Sequence, residues 1–81
     1  MLVKYFAWIR DLTKKETEDL SNSNVNDIEQ LKKYLINNYP KLKKHIEDDI
    51  LRYAINQKYV TNNVKIKHND EIAIIPPVSG G

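Results

Sequence analysis

Only one stretch of this chain can form a long amphipathic helix, and no other feature limits the fold as tightly. Ile28, Leu31 and Leu35 stand at i, i+3 and i+7, which makes one apolar stripe of helical period. The start is marked near Asn26 or Asp27. Both are good N-caps, and each is followed three residues later by a Glu or Gln, Glu29 and Gln30. Asn37-Asn38 and then Pro40 end the pattern, because proline cannot donate a backbone bond and restricts the residue before it. Glu29 and Lys33 are spaced for an ion pair on the solvent side. A single helix covers one face of one small sheet, so the rest of the chain must supply that sheet.

The flanking segments do read as strands. In residues 2–9, Val3, Tyr5, Ala7 and Ile9 alternate with Lys4, Phe6, Trp8 and Arg10, the period of a half-buried strand. The first set is expected to face the core. The second leaves two large aromatics between cations on the outer face. Residues 11–15 read as a turn, 16–21 as a polar edge strand and 21–24 as a loop. Residues 41–49 suit a short helical turn anchored by Leu42 and Ile46. Residues 50–56 form the next expected strand, with Leu51, Tyr53 and Ile55 on one face, and Gln57-Lys58 turns the chain into a short Tyr59-Val60 strand. Asn62-Asn63 and Asn69-Asp70 are turn pairs around Val64 and Ile66. Glu71 to Ile75 is the last strand, rich in β-branched residues. Pro76-Pro77 closes it, since neither can donate to a ladder. The predicted order is strand, strand, helix, strand, short strand, strand, tail: a two-layer α+β domain over residues 1–75, followed by an extended tail, 76–81.

A chain of 81 residues holds one domain with little room for an enclosed active site. With no cysteine it has no disulfide, no thiolate metal site and no thiol nucleophile. No apolar run approaches the roughly 20 residues that span a bilayer, and Met1-Leu2-Val3-Lys4 is not the start of a signal peptide. A cytoplasmic protein without membrane contact is expected. The net charge is only +2, and the basic cluster Lys41, Lys43 and Lys44 is followed closely by Glu47, Asp48 and Asp49. That mixture reads as solvated surface, not a nucleic-acid site. His45 and His68 lack partners at metal-ligand spacing. Asp48-Asp49 has no companion base, Tyr34 and Tyr39 read as packing residues at the helix edge, and Arg10 reads as half of a surface ion pair.

The tail carries the chemistry. The only two glycines are Gly80 and Gly81, while the turns use Asn and Asp. Pro76-Pro77 is expected to be stiff and extended and so to project Val78-Ser79-Gly80-Gly81 away from the sheet, with a reach of at most about 20 Å. A tip without side chains suits delivery of a terminal carboxyl into a narrow site on another protein. That carboxyl is ionised at neutral pH, its pKa being about 3.5, and a carboxylate is a poor electrophile. Chemistry there requires activation, for example as an acyl-adenylate, after which a sulfur nucleophile can make a thiocarboxylate. The chain has neither a nucleotide-binding loop nor a thiol, so activation and sulfur must both come from partners.

The run from Asn69 through Asp70-Glu71-Ile72-Ala73-Ile74-Ile75-Pro76-Pro77-Val78-Ser79-Gly80-Gly81 resembles the C-terminus of the MoaD family, the small subunits of molybdopterin synthase. Phe6-Ala7-Trp8-Ile9-Arg10 and Ala54-Ile55-Asn56-Gln57 are also similar to that family, so the resemblance spans the whole chain. It implies a ubiquitin-like β-grasp fold with one main helix on one face of a mixed sheet. It further implies that a MoeB-type enzyme uses ATP to adenylate Gly81, that sulfur transfer yields a thiocarboxylate, and that the tail enters the large subunit, MoaE. There it gives sulfur to cyclic pyranopterin monophosphate. The implied assembly is a heterotetramer of two small and two large subunits. The chain itself would be a carrier with no bound cofactor, most catalytic side chains lying on its partners.

The resemblance also implies partner-binding roles for Phe6, Tyr59 and Ile75 on the sheet face away from the helix. Pro76, Pro77, Val78 and Ser79 would form the stem behind the reactive Gly80-Gly81. Trp8 departs from the family and receives no role. Three other readings share parts of this pattern: a ThiS-like sulfur carrier for thiazole synthesis, a ubiquitin-like tag conjugated to lysines, and an interaction module whose glycines are inert. The chain length and the Pro-Pro-Val-Ser stem favour molybdopterin synthase over the thiazole pathway.

Overall fold

The computed structural model describes residues 1–77. Along the chain come β1 (Leu2–Tyr5), α1 (Ala7–Thr13), β2 (Thr17–Asp19), α2 (Ile28–Asn38), a 3-10 turn (Pro40–Leu42), α3 (Lys43–Glu47), β3 (Arg52–Ile55), β4 (Lys58–Val60) and β5 (Glu71–Ile75). The strands make one mixed sheet in the order β2-β1-β5-β3-β4. β1 and β5 pair in parallel at its centre, and all other pairs are antiparallel. The last strand in sequence is therefore the middle strand in space.

Alternation along each strand decides what each face meets. Val3 and Tyr5 of β1, Tyr53 of β3, and Ile72 and Ile74 of β5 are buried together with Ile28, Leu31 and Leu35 of α2. Leu42 and Ile46 anchor the 3-10 turn and α3 to the same core, as expected. α2 is started by a reciprocal cap. The Asp27 carboxylate accepts from the Gln30 backbone N–H at 2.8 Å, and the Gln30 side-chain oxygen accepts from the Asn26 N–H at 2.7 Å. Glu29 pairs with Lys32 at 3.8 Å, one position earlier than the expected Lys33. Among the described residues, no helix is long and apolar enough to cross a membrane.

The first strand is shorter than its alternation suggests. β1 ends at Tyr5, Phe6 is still extended, and Ala7 turns the chain with φ 52° into α1, which runs on through the expected turn to Thr13. Ala7 is consequently exposed and not in the core, whereas Ile9 is fully buried from a helix. Ile9, Leu12 and Thr13 supply an i, i+3, i+4 stripe, and that helical stripe overrides the period-2 pattern beyond residue 5. Lys14 closes α1 in the left-handed region, its N–H donating to the Arg10 carbonyl at 2.8 Å.

The hairpin from β3 to β4 turns on Asn56-Gln57, one residue before the expected Gln57-Lys58. Both residues have positive φ, 50° and 72°, and Ile55 pairs with Lys58. This is the two-residue turn whose twist matches that of the strands. Asn56 is committed to it by its bonds to the start of β5. Its N–H donates to the Glu71 carbonyl at 2.8 Å, and its side-chain oxygen accepts from the Glu71 N–H at 3.0 Å. Gln57 has no such tie, and a residue with a Cβ is disfavoured at this φ. Gln57→Gly is expected to stabilise the fold by about 0.5–1 kcal/mol after the entropy gained by the unfolded chain is subtracted. Urea unfolding measures this as a higher midpoint with unchanged slope.

Candidate functional site

The pairing register sets up one row across the sheet: Lys4 on β1, Ala73 on β5, Ala54 on β3 and Tyr59 on β4. These residues alternate with the core set and so belong to the face away from α2. Ile75 lies opposite Arg52 in the neighbouring row. The Phe6 N–H donates to the Ile74 carbonyl at 3.2 Å, which fixes Phe6 at the end of β1 alongside β5.

The two alanines are the floor of a hollow. Phe6, Tyr59 and Ile75 wall it, with Lys4, Gln57 and Glu71 at its edge, and its volume is about 300 Å³. Phe6 is 43% exposed and Tyr59 67%. Single exposed apolar residues are ordinary, but a contiguous set around a concavity marks an interaction surface. Lys4 and Glu71 form an ion pair at 3.3 Å beside this apolar floor. β5 leaves the sheet at Ile75, so the hollow adjoins the base of the tail. Pro76 is half-buried and Pro77 exposed. The expectations for Val78, Ser79, Gly80 and Gly81 fall outside the described residues.

Other residues singled out in the sequence have different places. Trp8 lies on α1, its ring centroid 4.8 Å from that of His45 on α3, and it takes no part in the hollow. Arg10 makes the exposed ion pair expected of it, with Glu16 at 3.4 Å.

Tyr34 and Tyr39 do more than pack at a helix edge. Together with Tyr5 they donate their hydroxyls to the Glu18 carboxylate, Tyr5 and Tyr39 at 2.7 Å each, and Lys15 approaches it at 3.4 Å. Burial of Glu18 alone would raise its pKa. The three hydroxyls and then Lys15 outweigh that, and hold the carboxyl below its ordinary range. The cluster fastens edge strand β2 to β1 and to the C-terminal end of α2. Its members are 13 to 21 residues from Glu18 in sequence, so no local spacing announces it.

The chain matches the ThiS family over residues 3–81. The molybdopterin synthase sulfur carrier subunit of Arabidopsis thaliana is 33% identical over 79 residues, covering 98% of this chain and 80% of that one. The subunit of the same name from Caenorhabditis elegans is 31% identical over 81 residues, covering 98% and 94%. The Dictyostelium discoideum subunit is 51% identical over 45 residues, a match that spans 53% of this chain and half of that relative.

Among solved structures, the Pyrococcus furiosus protein assigned as molybdopterin converting factor, subunit 1, superposes with a TM-score of 0.80 at 26% identity over 95% of each chain. The small archaeal modifier protein 1 of Methanosarcina acetivorans superposes with a TM-score of 0.77 over 99% of this chain and 94% of that one; at 24% identity it speaks for the fold alone. The fold, the full-length sequence match and the names of the relatives agree. The chain belongs to the ThiS family of ubiquitin-like β-grasp proteins, among its MoaD members, the small sulfur carrier subunits of molybdopterin synthase.

Proposed function

We propose that this protein carries sulfur in molybdenum cofactor biosynthesis, with the carboxyl of Gly81 as the group that is charged. The observation that carries this reading is the hollow of Phe6, Tyr59 and Ile75 at the base of the tail, on the face that α2 leaves open. A partner seated there is placed to receive whatever Pro76-Pro77 projects. A carboxylate must be activated before sulfur can displace one of its oxygens, so an adenylating partner of the MoeB type supplies ATP chemistry and a good leaving group. Sulfur attack then gives the thiocarboxylate. Val78 and Ser79 complete the stem, and Gly80-Gly81 present the reactive end to the large subunit, MoaE-like, for donation to cyclic pyranopterin monophosphate. Two small and two large subunits make the working assembly. The chain binds no cofactor of its own, and the setting is the cytoplasm.

The test is reconstitution with both partners and the pterin precursor. Molybdopterin is expected only when the adenylating enzyme and ATP have charged the chain. Formation at the same rate with uncharged chain would contradict the proposal.

Docking is tested separately. Phe6→Lys puts a charge on the wall of the hollow without touching the core, so stability should change by no more than about 0.5 kcal/mol. Affinity for the large subunit, measured by calorimetry, should fall by about 2 kcal/mol, roughly thirtyfold. Unchanged affinity would remove the hollow from the docking surface.

A further inference from the structure

We propose that the hollow on the open sheet face is a socket for one apolar side chain of the large subunit, and that Ala54 and Ala73 set its specificity by being small. This rests on the docking reading given above and names what enters the hollow. The register sets its shape. Across the sheet the row reads Lys4, Ala73, Ala54, Tyr59, so two single methyl groups lie side by side between two long side chains. Residues two apart on a strand share a face. Phe6 and Ile75, two residues beyond Lys4 and Ala73, therefore close the end nearest the tail, and Glu71, two residues before Ala73, stands at the other. Ala54 is buried and Ala73 half-buried, whereas Phe6 and Tyr59 are exposed, so the walls stand above the floor. A hollow of about 300 Å³ is at the lower end of the range for small-ligand sites and holds one side chain, not a helix or a strand.

The lining selects the occupant. The alanine methyl groups offer no hydrogen bond, and the strand beneath Ala73 is paired on both sides, with β1 and with β3. The two charges of the lining, Lys4 and Glu71, are paired with each other at 3.3 Å. An incoming cation has to displace Lys4, and an incoming anion Glu71. Either leaves a charge without its partner beside an apolar floor once water is excluded. The other polar groups of the lining, Gln57 and the Tyr59 hydroxyl, belong to exposed residues. Arg52 shares this face, opposite Ile75, but is not part of the lining, so its charge is offered at the rim and not to the floor. A leucine, methionine or phenylalanine side chain disturbs none of these groups and gains by burial against Phe6, Tyr59 and Ile75. A few such anchors, seated in pockets near the centre of an interface, carry most of its binding energy. A larger residue in place of either alanine would fill the socket from within: it adds apolar area to the face yet shuts the anchor out.

The experiment measures affinity of the full chain for the large subunit by calorimetry, with Ala73 enlarged in two steps, Ala73→Val and Ala73→Leu, after urea unfolding has shown each variant to be folded. Affinity is expected to fall with each step, by about tenfold or more for leucine, the cost of overfilling a packed contact. On a flat apolar patch the added area would leave affinity unchanged or raise it, so the sign of the change decides. Phe6→Lys is measured alongside, because it tests docking at the hollow whatever enters it. If Phe6→Lys weakens binding and Ala73→Leu does not, docking stands and the socket is overturned. If neither weakens binding, the docking reading falls together with the socket. Should the Ala73 variants unfold, the wild-type chain labelled at its alanine methyl groups gives the answer by NMR. In its complex with the large subunit, the Ala73 methyl is expected to show intermolecular contacts to the protons of one aliphatic or aromatic side chain. Contacts to a charged side chain, or none to the partner, overturn the proposal.

Discussion

Deletion of Gly81 is expected to abolish sulfur transfer while leaving the unfolding midpoint where it was. Among the described residues the buried core is made by residues from Met1 to Ile74 and the last strand ends at Ile75, and a glycine has no side chain to add to it. In the proposed function, by contrast, the tail works by its length. Removing one residue shortens its reach by about 3.5 Å, and a displacement of even 1 Å in positioned chemistry can cost about a hundredfold. Under the proposed function both events would lose their geometry at once, adenylation at the activating enzyme and donation in the large subunit. Binding to the large subunit through Phe6, Tyr59 and Ile75 should persist. A truncated chain that binds but does not transfer separates docking from delivery; full molybdopterin formation by that chain would contradict the role given to Gly81.

Glu18→Ala is expected to have the largest effect on stability of any single substitution on the sheet edge, about 3 kcal/mol. The Glu18 side chain is 13% exposed and serves as common acceptor for Tyr5, Tyr34 and Tyr39. Its removal takes the acceptor from three hydroxyls at once, and among the described residues the buried Tyr5 hydroxyl has no other acceptor. The same carboxylate gives the acid limb its sign. Its folded-state pKa lies below the unfolded one, which is about 4.3. Its contribution is therefore complete above that pH and is lost as pH falls through the folded value. Urea unfolding across this range should show stability falling on the acid side, and Glu18→Gln, which cannot titrate, should flatten that limb. A wild-type limb identical to that of Glu18→Gln would show that the cluster does not set acid stability.

The elements most legible in the sequence are those whose signals are local. β5 has the expected bounds, Glu71–Ile75, because β-branched residues are closed off by Pro76-Pro77. α2 begins with a capping pair written within five residues and ends before Pro40. α1 was hidden because Val3, Tyr5 and Ile9 are buried at odd positions, two in a strand and one in a helix, and odd spacing alone does not say where the period changes. The outward aim of Phe6 follows from the alternation of β1 continued by one extended residue. The hollow does not, since its floor comes from Ala54 and Ala73, and only the register between β3 and β5 brings those two together. Glu18 and its tyrosines were illegible for the same reason at longer range. The positive φ at Asn56 and Gln57 was half legible: Asn tolerates it, but Gln gives no sign of it.

Conversion of the terminal carboxyl to a thiocarboxylate is read directly by intact mass. The chain is incubated with the adenylating enzyme, ATP and a sulfur source, then mixed with the large subunit and the pterin precursor. A gain equal to one oxygen replaced by one sulfur is expected, confined to the C-terminal fragment that contains Gly81, and it should disappear as molybdopterin forms. A chain whose mass never changes, or one that gains mass through adducts on lysine side chains, would contradict it.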